Sequence, residues 1–220
     1  MVEESLEKLK IAIYSGSVPS TIFIENLINA LSKKKINIFI YGTENKSNYK
    51  YNKNIFYFLT PKQRYLRVYF FISQSLYLIF RFPRRFIKLL LNTKRIGVKK
   101  INFNYLIKIL PVVNHLPDIF HLQWAKALPE WYFLKELFDV RIVVSLRGAH
   151  INYSPLADKN LKILYLKYFP KVDYFHSVSK ALRDKAISYG AQKNKIEVIY
   201  SSLDIDKLIK HQKSNWSIDQ

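Results

Sequence analysis

Lys10-Ile11-Ala12-Ile13-Tyr14, then Phe23, Ile24, Leu27, Ile28 and Leu31, then Ile36-Asn37-Ile38-Phe39-Ile40-Tyr41: the reading of residues 10–41 decides the fold. The first run is short, apolar and stopped by Ser15-Gly16-Ser17, as a buried strand is. The middle set recurs at helical spacing on one face, and the third is a second strand ending at Gly42. A strand, a crossover helix and a strand give a right-handed unit with parallel strands, the start of an open doubly wound sheet.

Outward from that unit the alternation continues. Ile55 to Leu59 reads as a third strand, followed by a basic helical region to about Ile109. Strands are expected at Asp118–Leu122, Arg141–Leu146, Asp173–Val178 and Ile196–Tyr200, with helices around Pro129–Phe138, Leu156–Tyr168 and Ser179–Tyr189. Ser179 is placed as an N-cap and Gly190 as the C-terminal glycine of that last helix. The expected class is α/β, a Rossmann-like, doubly wound, mostly parallel sheet in one domain over residues 8–208. A basic amphipathic insertion at about 62–110 and a polar tail at 209–220 complete the division.

Composition narrows the partners. Between Glu44 and Asp118 there are fifteen Lys or Arg and no Asp or Glu, so this block supplies fifteen of the net +20 charges. Such a field attracts anions: phospholipid head groups, nucleic acid phosphates or phosphorylated substrates. The absence of cysteine excludes disulfides, a thiolate nucleophile and thiolate metal sites, and no metal or cofactor is expected. The acidic start Met1-Val2-Glu3-Glu4-Ser5-Leu6-Glu7 lacks the apolar core of a secretory signal, which points to a cytoplasmic location. Val68–Phe80 is too short and interrupted to span a bilayer.

In a doubly wound sheet, ligands bind outside the carboxyl ends of the strands. The turn after the first strand brings Gly16, Ser17 and Ser20 near a helix start, a place for a phosphate or sugar, although G-x-G-x-x-G is missing. A strand-helix turn capped by Ser20 or Thr21 is the plainer alternative. His121 follows the fourth strand, either as a ligand group or as a satisfied core histidine. Arg147, Gly148 and His150 follow the fifth: Arg147 offers a fork to a phosphate and Gly148 lets backbone approach.

The order of these strand ends resembles that of family four glycosyltransferases of the GT-B fold, over about Lys10 to Leu208. Asp118-Ile119-Phe120-His121-Leu122-Gln123-Trp124 resembles their D-h-h-H-x-H/Q strand, and Arg147-Gly148-Ala149-His150 their HG-x-D or RG-x-D strand end. Asp173-Tyr174-Phe175-His176-Ser177-Val178-Ser179 is similar to their aD-x-h-h-x-VS segment. Lys195 to Asp204 is similar to their KI-x-VI-x-NGVD linker, without its Asn-Gly. Val18-Pro19-Ser20-Thr21-Ile22-Phe23-Ile24 resembles the FP-x-x-SETFI loop of the exopolysaccharide and lipopolysaccharide subgroup.

The resemblance implies the N-terminal, acceptor-binding half of such an enzyme. Its substrate-binding residues would be Gly16, Ser17, Ser20, His121, Arg147, Gly148, His150 and Ser179, with the catalytic residues unassigned. The family's donor motif, Glu-x7-Glu, is not found among these residues, and the family's strand-end His and Asp are replaced by Arg147 and His150. The chain alone is therefore expected to be inactive and to need a donor domain, on another chain or in a longer sequence. The implied partners are a sugar acceptor carried on lipid and an anionic membrane surface on the inner face. Arg81, Arg84, Arg85 and Lys88 are expected on one helical sector against head groups, with Phe82, Phe86, Leu89 and Leu90 as an apolar arc and Pro83 at the helix start; the plainer alternative is a helix whose apolar side packs on the sheet and whose charges are solvated. The rival reading is a non-catalytic basic module that binds anionic membrane or nucleic acid. The motif order after Asp118 has no purpose in it.

Overall fold

The computed structural model describes residues 8–45, 53–92 and 102–201. They form a seven-stranded, all-parallel sheet in the order β3-β2-β1-β4-β5-β6-β7. The strands are β1 (Lys10–Val18), β2 (Asn37–Glu44), β3 (Ile55–Thr60), β4 (Ile119–Leu122), β5 (Arg141–Leu146), β6 (Tyr174–Ser177) and β7 (Ile196–Val198). Chain order reverses between β1 and β4, so the topological switch point of the Rossmann-like class lies there. The fold class anticipated from residues 10–41 is the one observed.

Alternation along each strand divides the core. Ala12 and Tyr14 point to one side, and Ile13 to the other. Phe39 and Tyr41 join the first side, Ile38 and Ile40 the second. On the second side Ile24 and Ile28 of α1 (Ile22–Ser32) cover the sheet. On the first lie α2 (Arg64–Arg81), α3 (Pro83–Leu91) and α4 (Phe103–Asn114), through Leu78, Leu89 and Val113. Trp131, on the short helix α5 (Leu128–Trp131), is fully buried with its ring 4.8 Å from those of Tyr14 and Phe120. The remaining helices are α6 (Phe133–Phe138), α7 (Gly148–Asn152), α8 (Ser154–Ala157), α9 (Lys159–Tyr168) and α10 (Lys180–Ser188).

Two expectations change. Ser15-Gly16-Ser17 does not end β1: the strand runs on to Val18, pairing Gly16 with Gly42 and Ser17 with Thr43 after a bulge between Tyr14 and Gly16. Gly16 takes φ 87°, the left-handed value that admits the extra residue and lets pairing resume. Helix α1 therefore starts at Ile22, past the bulge, and Gly16 and Ser17 are not at its N-terminus. The basic region is also not one helix beyond Arg81, because the chain breaks at Phe82 (φ −137°, ψ 57°), and Pro83 opens α3. The part of the insertion at 93–101, the linker residues Leu203 and Asp204 and the tail 209–220 lie outside the described residues.

Candidate functional site

At the carboxyl edge around the switch point, β1, β4 and β5 bring their following residues together. The Gln123 N–H donates to the Tyr14 carbonyl (3.1 Å), which extends the β4 end along β1. Trp124 Nε1–H donates to the Ser15 carbonyl (3.0 Å) and fixes the indole over the bulge. Its ring stands edge-on to Phe23 of α1 (6.2 Å) and tilted against His150 (5.1 Å). The Arg147 guanidinium lies 4.1 Å from the Phe23 ring centroid, within cation–π range.

Polar capacity at this edge is only partly used. Gln123 is completely buried, and its Oε1 accepts from Arg147 Nη2 (3.2 Å). Its Nε2, the Nε of Arg147 and the Nδ1 of His150 meet no protein partner among the described residues. Buried polar atoms are normally paired, and three of the exceptions among the described residues lie on residues of this edge. Partial burial pulls the Arg147 guanidinium below its ordinary value, and an arginine still keeps its charge. Arg147 forms no ion pair with Asp118 or Asp173. Asp118 accepts from the Lys10 backbone N–H at the opposite edge (2.7 Å), and Asp173 pairs with Lys135.

Beside Arg147, one face of β4, β5 and β6 carries a row of hydrogen bonds. His121 Nε2 is 3.0 Å from Ser145 Oγ, Ser145 Oγ is 3.1 Å from His176 Nδ1, and His176 Nε2 is 3.1 Å from the Ile199 carbonyl. The direction follows from the last acceptor. A carbonyl only accepts, so His176 Nε2 carries the proton; its Nδ1 then accepts from Ser145, whose oxygen accepts from His121 Nε2–H. Both imidazoles are held neutral. Burial first, then His176 and Arg147, push His121 down to about 3. His176 is lowered mainly by burial, against the opposing pull of its bond to Ile199. An open cavity of about 240 Å³ adjoins this row, lined by Arg147, His176, Phe23, Leu27, Ile199 and Tyr200.

The other site residues read from sequence fall as follows. Gly16 stands in the bulge and Ser17 is exposed beside it. The Ser20 backbone N–H donates to Glu25 Oε1 (2.7 Å), while Thr21 is the N-cap residue of α1. Gly148 opens α7 with no atom within 4 Å of where a Cβ would stand, so the space above it is free. Ser179 is set apart from this cluster by its use: its Oγ accepts from the Leu182 N–H (3.2 Å) and caps α10. Gln123, Trp124, Phe23, Ser145 and His176 were not selected from sequence, although Gln123 and Trp124 sit directly after a strand that pointed to His121.

The expected lipid-facing sector is divided. Arg81 ends α2, while Arg84, Arg85 and Lys88 belong to α3. Arg85 is turned inward: Nη1 donates to the carbonyls of Val113 (3.0 Å) and Asn114 (2.9 Å), and its guanidinium covers Phe82 at 4.0 Å. Phe82 and Phe86 pack on the core and Leu89 is buried, which leaves Leu90 exposed from the expected apolar arc. Beyond the break at Phe82, most of the arc is therefore taken up by the core.

A sequence model of Glycosyltransferase Family 4 matches residues 20–207. In fold the chain is similar to Anabaena HepE, solved in complex with UDP-glucose, at 12% identity and TM-score 0.52, covering 93% of this chain and 50% of that one. It also matches the apo form of the lipopolysaccharide outer core galactosyltransferase WaaB at 15% identity and TM-score 0.47, covering 90% of this chain and 47% of that one. No curated protein matches. The chain spans about half the length of the solved structures it matches. With the family model matched over residues 20–207 of its 220, the chain belongs to glycosyltransferase family 4.

Proposed function

We propose that these residues are the acceptor-binding half of a glycosyltransferase that moves a sugar from a nucleotide sugar to a lipid-linked or polysaccharide acceptor in cell-surface glycan synthesis. The observation that supports this most is the convergence of Gln123 Nε2, Arg147 Nε and His150 Nδ1, all without protein partners, around Trp124 at the switch point. Arg147 supplies a fixed positive charge and an aromatic-backed fork, suited to a phosphate or to ring hydroxyls, and its permanent protonation rules it out as a base. His121 is spent on Ser145 through Nε2 and is neutral. In this reading the edge binds and orients, and the groups that complete the transfer come from a donor-binding domain outside the 220 residues.

Rate enhancement by positioning needs donor and acceptor held together. The purified 220-residue chain is therefore expected to release no UDP from UDP-glucose above the uncatalysed rate. It is expected to bind a water-soluble, short-chain polyprenyl pyrophosphoryl sugar, seen as NMR line broadening that Arg147→Ala and Gln123→Leu each abolish. Turnover by the isolated chain, free of contaminating enzyme, would refute the division of labour. Unchanged broadening in both variants would remove the ligand from this edge. The rival, a non-catalytic basic module, rests on the uncompensated charge of residues 45–117 and gives the three unpartnered groups nothing to do.

A further inference from the structure

Between α1 and the residues that follow β7 lies the cavity of about 240 Å³ beside Arg147. Phe23, Leu27 and Ala30 of α1 give it one apolar wall, and Ile199 and Tyr200, both more than half exposed, give it another. Asn26 and Ser201, also exposed, add an amide and a hydroxyl to the lining. Drug-sized ligands fill pockets of about 300–1,000 Å³. This smaller space suits a single sugar ring, with its apolar face on the α1 wall and its hydroxyls toward Asn26 and Ser201.

The charge of the cavity is one cation. Arg147 alone among the lining residues is charged, because burial keeps His176 neutral and its Nε2–H is given to the Ile199 carbonyl. A guanidinium has five N–H groups. Among the described residues Arg147 uses one, from Nη2 to Gln123 Oε1 (3.2 Å), and that acceptor is neutral. The Phe23 ring, 4.1 Å away, backs the guanidinium. No carboxylate lines the cavity: Glu25 of α1 accepts from the Ser20 N–H, and Glu197, in register with His176, is exposed on β7 outside the lining. Arg147 adds to the burial that keeps His121 neutral, so its field reaches along the histidine row. A half-buried cation without a counter-ion is costly, and an anionic ligand group would offset that cost.

The count of charges selects the anion. A pyrophosphate carries several negative charges and is met by several fixed donors, in backbone nests or in clusters of Lys and Arg. One planar fork backed by an aromatic ring matches one planar monoanion, a carboxylate held by two parallel N–H bonds. We infer that the sugar taken by this cavity is acidic, a hexuronate whose carboxylate binds Arg147 while its ring lies against Leu27 and Ala30. The inference rests on the proposed transferase reading and narrows what Arg147 meets there.

The probes are the methyl glycosides of glucuronate and galacturonate, each paired with the neutral hexoside that differs only at C6. They are titrated into the 220-residue chain and followed by ligand-observed NMR. At least one uronoside is expected to bind about ten-fold more tightly than its neutral partner at low salt, and raised salt should narrow the gap. Arg147→Gln should bring the two to equal affinity, and Arg147→Lys, which keeps the charge and loses the fork, should retain part of the preference. Asn26→Asp, at an exposed position, should weaken the uronoside about five-fold and leave the neutral hexoside and the melting curve unchanged. Equal binding within both pairs, no binding of any probe, or a preference that survives Arg147→Gln would overturn the inference. So would inorganic pyrophosphate that displaces the uronoside at a lower concentration than free glucuronate or galacturonate does, which would make a carrier phosphate the occupant. Arg147-dependent broadening of the polyprenyl pyrophosphoryl sugar, seen together with equal binding within both pairs, would remove the acidic sugar and leave the transferase reading standing.

Discussion

Gly16 shows how one backbone angle changes the meaning of a motif. A Cβ built there meets nothing within 4 Å, so space alone would allow valine. The φ of 87° does not: a β-branched residue in the left-handed region is strained by about 1–3 kcal/mol. Gly16→Val is expected to destabilise the domain by that amount in a denaturant titration, whereas Gly148→Ala, with free space and an ordinary helical φ, should change it by less than about 0.5 kcal/mol. Equal midpoints for wild type and Gly16→Val would show that the bulge relaxes without cost. Gly42 plays a different part: its Cβ would stand 3.1 Å from Val18 Cγ2 and 3.2 Å from the Gly16 carbonyl, so it lets β2 lie close against the bulged strand. From the sequence, Ser15-Gly16-Ser17 was visible as a special place, but nothing in it separates a turn from a bulge that resumes pairing.

Among the elements, α3 best separates charge from role. Its cations look alike in sequence, yet Arg85 bonds two carbonyls at the end of α4 while Arg84 is exposed. Those carbonyls include unsatisfied acceptors of a helix C-terminus, where a cation is doubly favoured by hydrogen bonding and by the helix dipole. Arg85→Ala is expected to cost about 1.5–3 kcal/mol of stability, and Arg84→Ala less than about 0.5 kcal/mol, both read by chemical denaturation. Identical losses would mean that the Arg85 contacts contribute nothing beyond surface charge. Burial lowers the Arg85 guanidinium, as expected for a cation turned from water. The stop and start at Phe82-Pro83 was half legible: Pro83 marked a helix start, but the apolar arc fitted a lipid surface and a core equally well, and only packing assigned Phe82 and Phe86 to the core.

For the whole molecule, charge and histidine burial act in the same direction. His115, His121, His150 and His176 are each lowered, with burial as the leading cause. Each binds its proton more weakly folded than unfolded, so the unfolded chain takes up protons first as pH falls. Stability is therefore complete above the ordinary histidine value of about 6.5 and is lost progressively below it, down to about 3 for His121. Each histidine can contribute a slope of up to about 1.4 kcal/mol per pH unit within its window. The net charge of +20 adds self-repulsion that grows as carboxylates protonate. Denaturant midpoints should fall steadily from pH 7 to pH 4, and His121→Gln/His176→Gln should flatten the curve. A curve of unchanged slope in that variant would locate the acid sensitivity elsewhere.

Periods of two and 3.6 in the apolar residues were enough to place the strands and α1 and to make the sheet parallel, because burial of an apolar face is a local demand that the chain writes repeatedly. Most strand ends were legible for the same reason, that of β1 excepted, and His121, Arg147 and Gly148 stand at or just past the ends of β4 and β5. What the sequence could not supply was which side chains satisfy one another across the sheet. Gln123 became a partner of Arg147, Ser145 a bridge between two histidines and Arg85 a cap for α4 only when segments 24 to 31 residues apart were brought within hydrogen-bonding distance. The inward face of α2 was decided in the same way. An amphipathic pattern defines a face, but only the packing of α2 on α4 determines which face the core takes.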